Sequence, residues 1–355
     1  MRAILLSGGI SMIITLLGTR LAIGYFTKHG YGQFIREDGP TSHHTKRGTP
    51  TMGGLVIILA TVLGYFIAHL LTWSAPTASG LLILWLFVGM GIVGFLDDWM
   101  KISNQRSLGL NAKAKLIGQA IVGISFAVAS LLLPDERGVT PASYALSFLR
   151  DFGPQLPLVL VVIWIILMIA GTSNAVNLTD GLDGLATGAC AMIFASYTLV
   201  NIWQSNQSCG SIRSVGAGCY EVRDPLDLAM VSIALAGACF GFLWWNAKPA
   251  KIIMGDSGSL SLGAALAGIA IFTRTELLLV ILGGLFVVVT ASVILQVGYF
   301  KATKGKRLFK MAPLHHHLEL LGWAEVTIVI RFWIIAGICS ALGLGLFYAE
   351  WVAWL

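Results

Sequence analysis

From residue 4 to residue 348 the chain repeats one pattern: an apolar run able to cross a bilayer, then a polar connection. The runs lie near 4–26, 53–73, 79–96, 114–133, 156–171, 185–203, 228–245, 259–272, 276–300 and 326–348. A helix needs roughly 20 apolar residues to span the hydrocarbon; the fifth and eighth runs are the shortest. A β-barrel strand would alternate over about ten residues, and Leu156 to Met168 shows no alternation. Composition points the same way. The chain is 56% hydrophobic and 11% charged, against about 25% charged for a soluble domain. The expectation is an all-α polytopic membrane protein of about ten transmembrane helices, one domain over 1–355. The first run is too long for a cleaved signal, contains Arg20 and lacks a small-residue cleavage site.

Orientation follows from the basic residues. Alternate connections, beginning with 27–52, hold all 11 lysines and four of the 12 arginines. The other side holds Arg2, Arg137, Arg150, Arg213, Arg223 and Arg274. Both termini are therefore expected outward, with five connections in the cytoplasm. That face also carries nine acids, among them Asp97, Asp98, Asp180, Asp183 and Asp256. Its basic excess suits an anionic substrate and anionic lipid headgroups equally.

The chemistry-bearing residues gather there. Asp97 and Asp98 are adjacent at the end of the third run, and two desolvated carboxylates need cations or protons. Asn174, Asn177, Asp180 and Asp183 recur every three residues, as neighbours on one helix face would. Asp256 lies in Gly255-Asp-Ser-Gly-Ser259 at the start of the eighth run, placed to hold a metal or to cap the helix. His315, His316 and His317 are consecutive, so on a helix they diverge by about 100° each and cannot share one metal. Phosphate contact or proton transfer by one or two of them is the better reading. Lys46 to Gly54 is a Gly-rich basic turn without the Gly-Lys-Ser/Thr of a P-loop.

Other features read as structural. Gly89-Met-Gly91-Ile-Val-Gly94 matches a dinucleotide fingerprint but lies inside an apolar run, and Gly237-xxx-Gly241 is a helix-packing pattern. Cys209 and Cys219 share an outward connection where a disulfide is permitted. Five aspartates with interleaved lysines and histidines fit a magnesium-bound pyrophosphate, at the boundary where a lipid-borne phosphate sits.

These motifs resemble the polyprenyl-phosphate N-acetylhexosamine-1-phosphate transferases. The string Pro313 to Trp323, Arg331-Phe-Trp333 and Lys46 to Gly54 are similar to the phospho-N-acetylmuramoyl-pentapeptide branch. The resemblance runs over nearly the whole chain; only the outward connections, notably 204–227, depart in length.

It implies an Mg²⁺-dependent enzyme of the bacterial inner membrane, with its active site facing the cytoplasm. The enzyme would be a homodimer among membrane lipids, with no nucleic-acid partner. Its substrates would be undecaprenyl phosphate and UDP-N-acetylmuramoyl-pentapeptide, its products lipid I and UMP. It implies that Asp256 binds the metal and that Asp97, Asp98 and His315 are essential. Lys113, Asn177, Asp180, Asp183 and Asn246 would line the nucleotide and pyrophosphate site with Asn174 and His316, and Lys46 and Thr51 nearby. The 276–300 run would bend to form a lipid groove. Asp97 or Asp98 would either position the lipid phosphate's proton or attack as a nucleophile; direct displacement is favoured, because a phosphate monoester is largely dianionic at neutral pH. The rival readings are a sister transferase using UDP-N-acetylglucosamine, and a secondary transporter, whose site would lie near the midplane.

Overall fold

The computed structural model describes residues 1–32, 48–105, 109–209 and 218–353. In chain order the helices are α1 (Arg2–Lys28), α2 (Gly54–Thr72), α3 (Ala78–Ser103), α4 (Ala112–Leu132), α5 (Leu158–Thr179), α6 (Leu185–Asn206) and α7 (Pro225–Asn246). They continue with α8 (Gly255–Phe272), α9 (Leu278–Leu282), α10 (Gly284–Ala302), α11 (Leu314–Leu320) and α12 (Glu325–Val352). Between α4 and α5 a small antiparallel hairpin pairs β1 (Leu146–Ser147) with β2 (Asp151–Phe152). Ten helices are long and apolar enough to cross a membrane. The chain is a helical, multi-pass membrane protein.

Three helices outrun their apolar stretches, which corrects where the polar motifs lie. Asp97 and Asp98 sit inside α3, which continues to Ser103, and Asn174 and Asn177 sit inside α5. The extra turns hold because their polar side chains serve the helix. Lys101 pairs with Asp97 one turn back, and Asn174 donates to the Ala170 carbonyl. Asp256 falls in the first turn of α8, which starts four residues earlier than its apolar run. The ninth run is also not one helix. It breaks at Gly283, giving short α9 and long α10.

The most buried helix is α8: every residue from Ser257 to Phe272 is inside. It packs between α3 and α5, with α2 against it, while α7 packs between α1 and α6. Such a helix carries no polar stripe because no face meets water. The outer helices show the opposite pattern. Leu21 is 76% exposed, Ile294 66% and Leu342 57%, a surface that lipid covers and water would not tolerate.

Small residues set the closest approaches. A Cβ at Gly237 would lie 2.2 Å from the Gly8 carbonyl oxygen, and one at Gly241 2.4 Å from that of Met12. The Gly237-xxx-Gly241 pattern is thus the seat of α1 on α7. Gly94 does the same for α3, where an added Cβ would stand 2.2 Å from the Asp256 carbonyl oxygen. That contact brings the acid pair of α3 beside the first turn of α8. On the opposite side of the bundle, Cys209 and Cys219 form a disulfide in the α6–α7 connection.

Candidate active site

The C-terminal turns of α3 and α5, the N-terminal turns of α4 and α8, and α11 share one end of the bundle. Asp97, Asp98 and Asp256 meet there, each offering one oxygen within 4.8 Å of the others. Asp98 is 3% exposed, and both its oxygens are engaged. They accept the N–H groups of Asp256 at 3.1 Å and Ser257 at 3.0 Å. Asp98 therefore caps α8 from a neighbouring helix, satisfying orphan donors that no side chain of α8 reaches. Gly255, at φ +76°, makes the entry; a Cβ there would stand 2.6 Å from Asp98 Oδ2 and 3.2 Å from Thr51 Oγ1. Thr51, buried just before α2, is thereby placed beside the acids.

Because Asp98 does the capping, Asp256 is left for other partners. Its Oδ2 lies 2.7 Å from Lys115 Nζ and 3.2 Å from Lys101 Nζ. Its Oδ1 accepts the Asn177 amide at 2.8 Å, which also donates to Ser259 Oγ at 2.8 Å. Asp97 accepts the Leu110 N–H at 2.9 Å and pairs with Lys101 at 2.6 Å. Three carboxylates thus face two ammonium groups, an acidic remainder at a helix N-terminus whose dipole favours anions. Hard carboxylate oxygens this close, with the Asp256 side chain 17% exposed, suit an oxygen-seeking divalent cation.

The remaining candidates divide. Asn177 belongs to the cluster, but the every-third-residue series does not continue on one helix face. Asp180 caps the end of α5, and Asp183 lies in the turn before α6. There Asp183 accepts the Ala250 N–H at 3.1 Å, donates its own N–H to Glu325 at 3.0 Å, and lies 3.8 Å from Lys248. Lys248 also pairs with Glu325. The physical reason is Gly181 and Gly184, which turn the chain where a continuing helix would keep the register. Asn174 bonds its own helix. Asn246, 2% exposed, donates to Ile252 O at 2.9 Å and accepts from Thr187 Oγ1 at 2.9 Å, so it holds the α7–α8 connection.

The histidines diverge. His315 is fully buried, its ring packed where a Cβ on Gly181 would stand 2.4 Å from Nε2. His316 Nδ1 lies 2.7 Å from Glu319, and His317 Nδ1 accepts the Lys310 N–H at 3.2 Å. Only His315 is packed against the α5–α6 turn, one turn beyond Asn177. Lys46 lies outside the described residues.

The resemblance implied Lys113 for the nucleotide and pyrophosphate site and named neither Lys115 nor Lys101, the two lysines that reach Asp256. Lys113 is exposed; two residues along a helix turn the side chain about 200°, so only one of the two lysines can face Asp256. The signal for Lys101 was present, since it follows Asp97 by four.

The bundle and its acid cluster are those of a membrane-embedded transferase, and the family model described as Glycosyl transferase family 4 matches residues 80–274. A second model, phospho-N-acetylmuramoyl-pentapeptide-transferase signature 1, matches residues 46–58. A relative from Cutibacterium acnes is 64% identical over 354 residues, covering 99% of both chains. One from Nocardioides sp. is 66% identical over 362 aligned residues, covering 99% of this chain and all of its own. One from Streptomyces avermitilis is 61% identical over 355 residues, covering 99% of both. All three are named phospho-N-acetylmuramoyl-pentapeptide-transferase, and the chain belongs to that family.

Proposed function

We propose that the enzyme transfers phospho-N-acetylmuramoyl-pentapeptide from its UDP carrier to undecaprenyl phosphate, releasing UMP and forming lipid I. The relatives' shared name favours the muramoyl-pentapeptide donor over UDP-N-acetylglucosamine. The observation that carries the reading is the convergence of Asp97, Asp98 and Asp256 with Lys101, Lys115 and Asn177 at one end of the bundle. The enzyme would sit in the bacterial inner membrane with that end in the cytoplasm and both termini outside, an orientation the lysine distribution supports. A homodimer and a lipid groove beside the break at Gly283 complete the proposal.

Asp256, with Asp97 and a remaining lone pair of Asp98, would hold Mg²⁺, which supplies charge neutralisation for the pyrophosphate. Lys115 and Asn177 fix the Asp256 carboxylate in place. His315, on α11 against the α5–α6 turn, contacts the transferred phosphate or holds its proton. Both Asp98 oxygens are committed to α8 N–H groups, and Asp97 accepts the Leu110 N–H and would ligate the metal. Neither is free to attack phosphorus without unmaking the site, which supports direct displacement by the dianionic lipid phosphate.

The test is UMP release by purified enzyme with and without undecaprenyl phosphate. Release requiring both substrates is expected, and failure to turn over the pair refutes the reading. A burst of about one UMP per site from phosphate-free enzyme given nucleotide alone would instead establish a covalent intermediate.

A further inference from the structure

Among the described residues, Lys101 alone reaches all three acids of the cluster. Its single ammonium reaches Asp97 at 2.6 Å, Asp256 at 3.2 Å and Asp98 at 3.6 Å, the same three carboxylates that would hold a cation. Three carboxylates within 3.6 Å of one ammonium make it the shared counter-ion of the triad. Lys115 differs: it approaches from α4 and touches one oxygen of Asp256.

We propose that Lys101 occupies the divalent-cation position while the metal is absent, and exchanges with the metal on binding. The displaced ammonium then meets the phosphates of the incoming nucleotide. This rests on the reading that the triad holds the cation. Mg²⁺ sits about 2.0–2.1 Å from carboxylate oxygens, so it and the ammonium cannot both stand among these three groups. Repulsion between +2 and +1 charges at that spacing exceeds thermal energy at any protein dielectric.

The cage is built to outlast the exchange. Asp97 is held by Leu110 N–H, Asp98 by Asp256 N–H and Ser257 N–H, and Asp256 by Asn177 and Lys115. None of these bonds involves Lys101. The departing group, by contrast, is on the last turn of α3, is 28% exposed, and has a flexible four-carbon stem. A fixed cage with one mobile monovalent cation keeps the acids paired before the metal arrives. It also couples metal entry to presentation of a phosphate-binding lysine.

The experiment uses the full-length enzyme in detergent. An amine-acylating reagent is applied with metal stripped and with Mg²⁺ added, and each lysine is quantified by mass spectrometry. Mg²⁺ should raise Lys101 labelling at least about fivefold, while exposed Lys113 and cage-bound Lys115 change less than about twofold.

Mn²⁺ binding is then followed by electron paramagnetic resonance without substrate. Lys101→Gln should bind Mn²⁺ about tenfold tighter than the unaltered enzyme, and Lys115→Gln less than about threefold tighter. Both variants should lose UMP release. Lys101 labelling that ignores Mg²⁺ while Mn²⁺ binds normally would overturn the exchange and leave the triad reading standing. Equal affinity gains in the two variants would do the same, since bulk charge alone would explain them. If Mn²⁺ does not bind, or Asp256→Asn leaves its binding intact, the triad reading falls and the exchange with it. The labelling arm needs no variant, so misfolding of a substituted chain cannot mask the answer.

Discussion

Asp227 and Asp256 are carboxylates in the first turns of α7 and α8, at opposite ends of the bundle, and their partners differ in kind. Asp227 is 5% exposed and lies 2.8 Å from His69 Nε2. It accepts from Tyr65 Oη at 2.8 Å, Thr77 Oγ1 at 2.6 Å and Thr77 N–H at 3.1 Å. Those donors belong to α2 and to the entry of α3, so the carboxylate ties three helix ends together. Asp256 is instead surrounded by two lysines on long stems and one amide. A carboxylate satisfied by short, fixed donors is a fastener, whereas one satisfied by ammonium groups stays available to another cation. Position in a helix's first turn alone would have made the two look alike.

The comparison can be tested from the strongest effect to the weakest. Asp256→Asn removes the anionic oxygen a hard metal needs. UMP release should fall at least on the order of 10²-fold, with the unfolding temperature little changed. Near-normal turnover at ordinary magnesium would take Asp256 out of the metal site. His315→Ala should come next, losing far more activity than His317→Ala at similar thermal stability. Equal, mild losses at both positions would detach α11 from the chemistry.

Asp227→Ala should show the reverse profile. It leaves the Tyr65 and Thr77 donors buried without their acceptor, at a cost of about 2–4 kcal/mol in stability. Turnover per folded molecule should stay within about twofold, since the site is at the other end. Detergent-phase unfolding curves and active-site-normalised rates separate the two. Gly181→Ala should reduce turnover about tenfold by pushing the His315 ring away. Gly345→Ala, with open space around it, should leave the rate unchanged.

Glu276 sharpens the contrast at the Asp227 end of the bundle. It sits in the turn between α8 and α9, 6% exposed. Burial pushes its carboxyl up to about 7, against the opposing pull of the Ser147 N–H at 3.0 Å. An acid raised on folding is penalised when charged. Its contribution is intact below the unfolded value of 4.5, declines as pH climbs toward 7, and then levels. Unfolding temperature should therefore drop from about pH 5 to pH 8 more steeply in the unaltered chain than in Glu276→Gln. Parallel slopes would show that this carboxyl does not set the pH response at that end of the bundle.

Much of the molecule was legible without coordinates. Apolar run length points to ten spanning helices, because lipid leaves the backbone only a helix or a closed barrel and the runs lack a barrel's alternation. The Gly237-xxx-Gly241 spacing foretold a tight helix contact, and the rotation per residue foretold that three adjacent histidines part company. Asp97, Asp98, Asn177 and Asp256 could be chosen because uncompensated polar groups beside a membrane are expensive and need a reason. What only the tertiary structure decided is who partners whom. Asp98, on α3, caps α8; Lys115 rather than Lys113 reaches Asp256; and the Asn174-to-Asp183 series breaks at a glycine turn, sending Asp183 to Lys248 and Glu325. Spacing along a chain sets the period of one helix. The rotation of that helix about its axis, and the depth at which it meets its neighbours, follow from packing of the whole bundle.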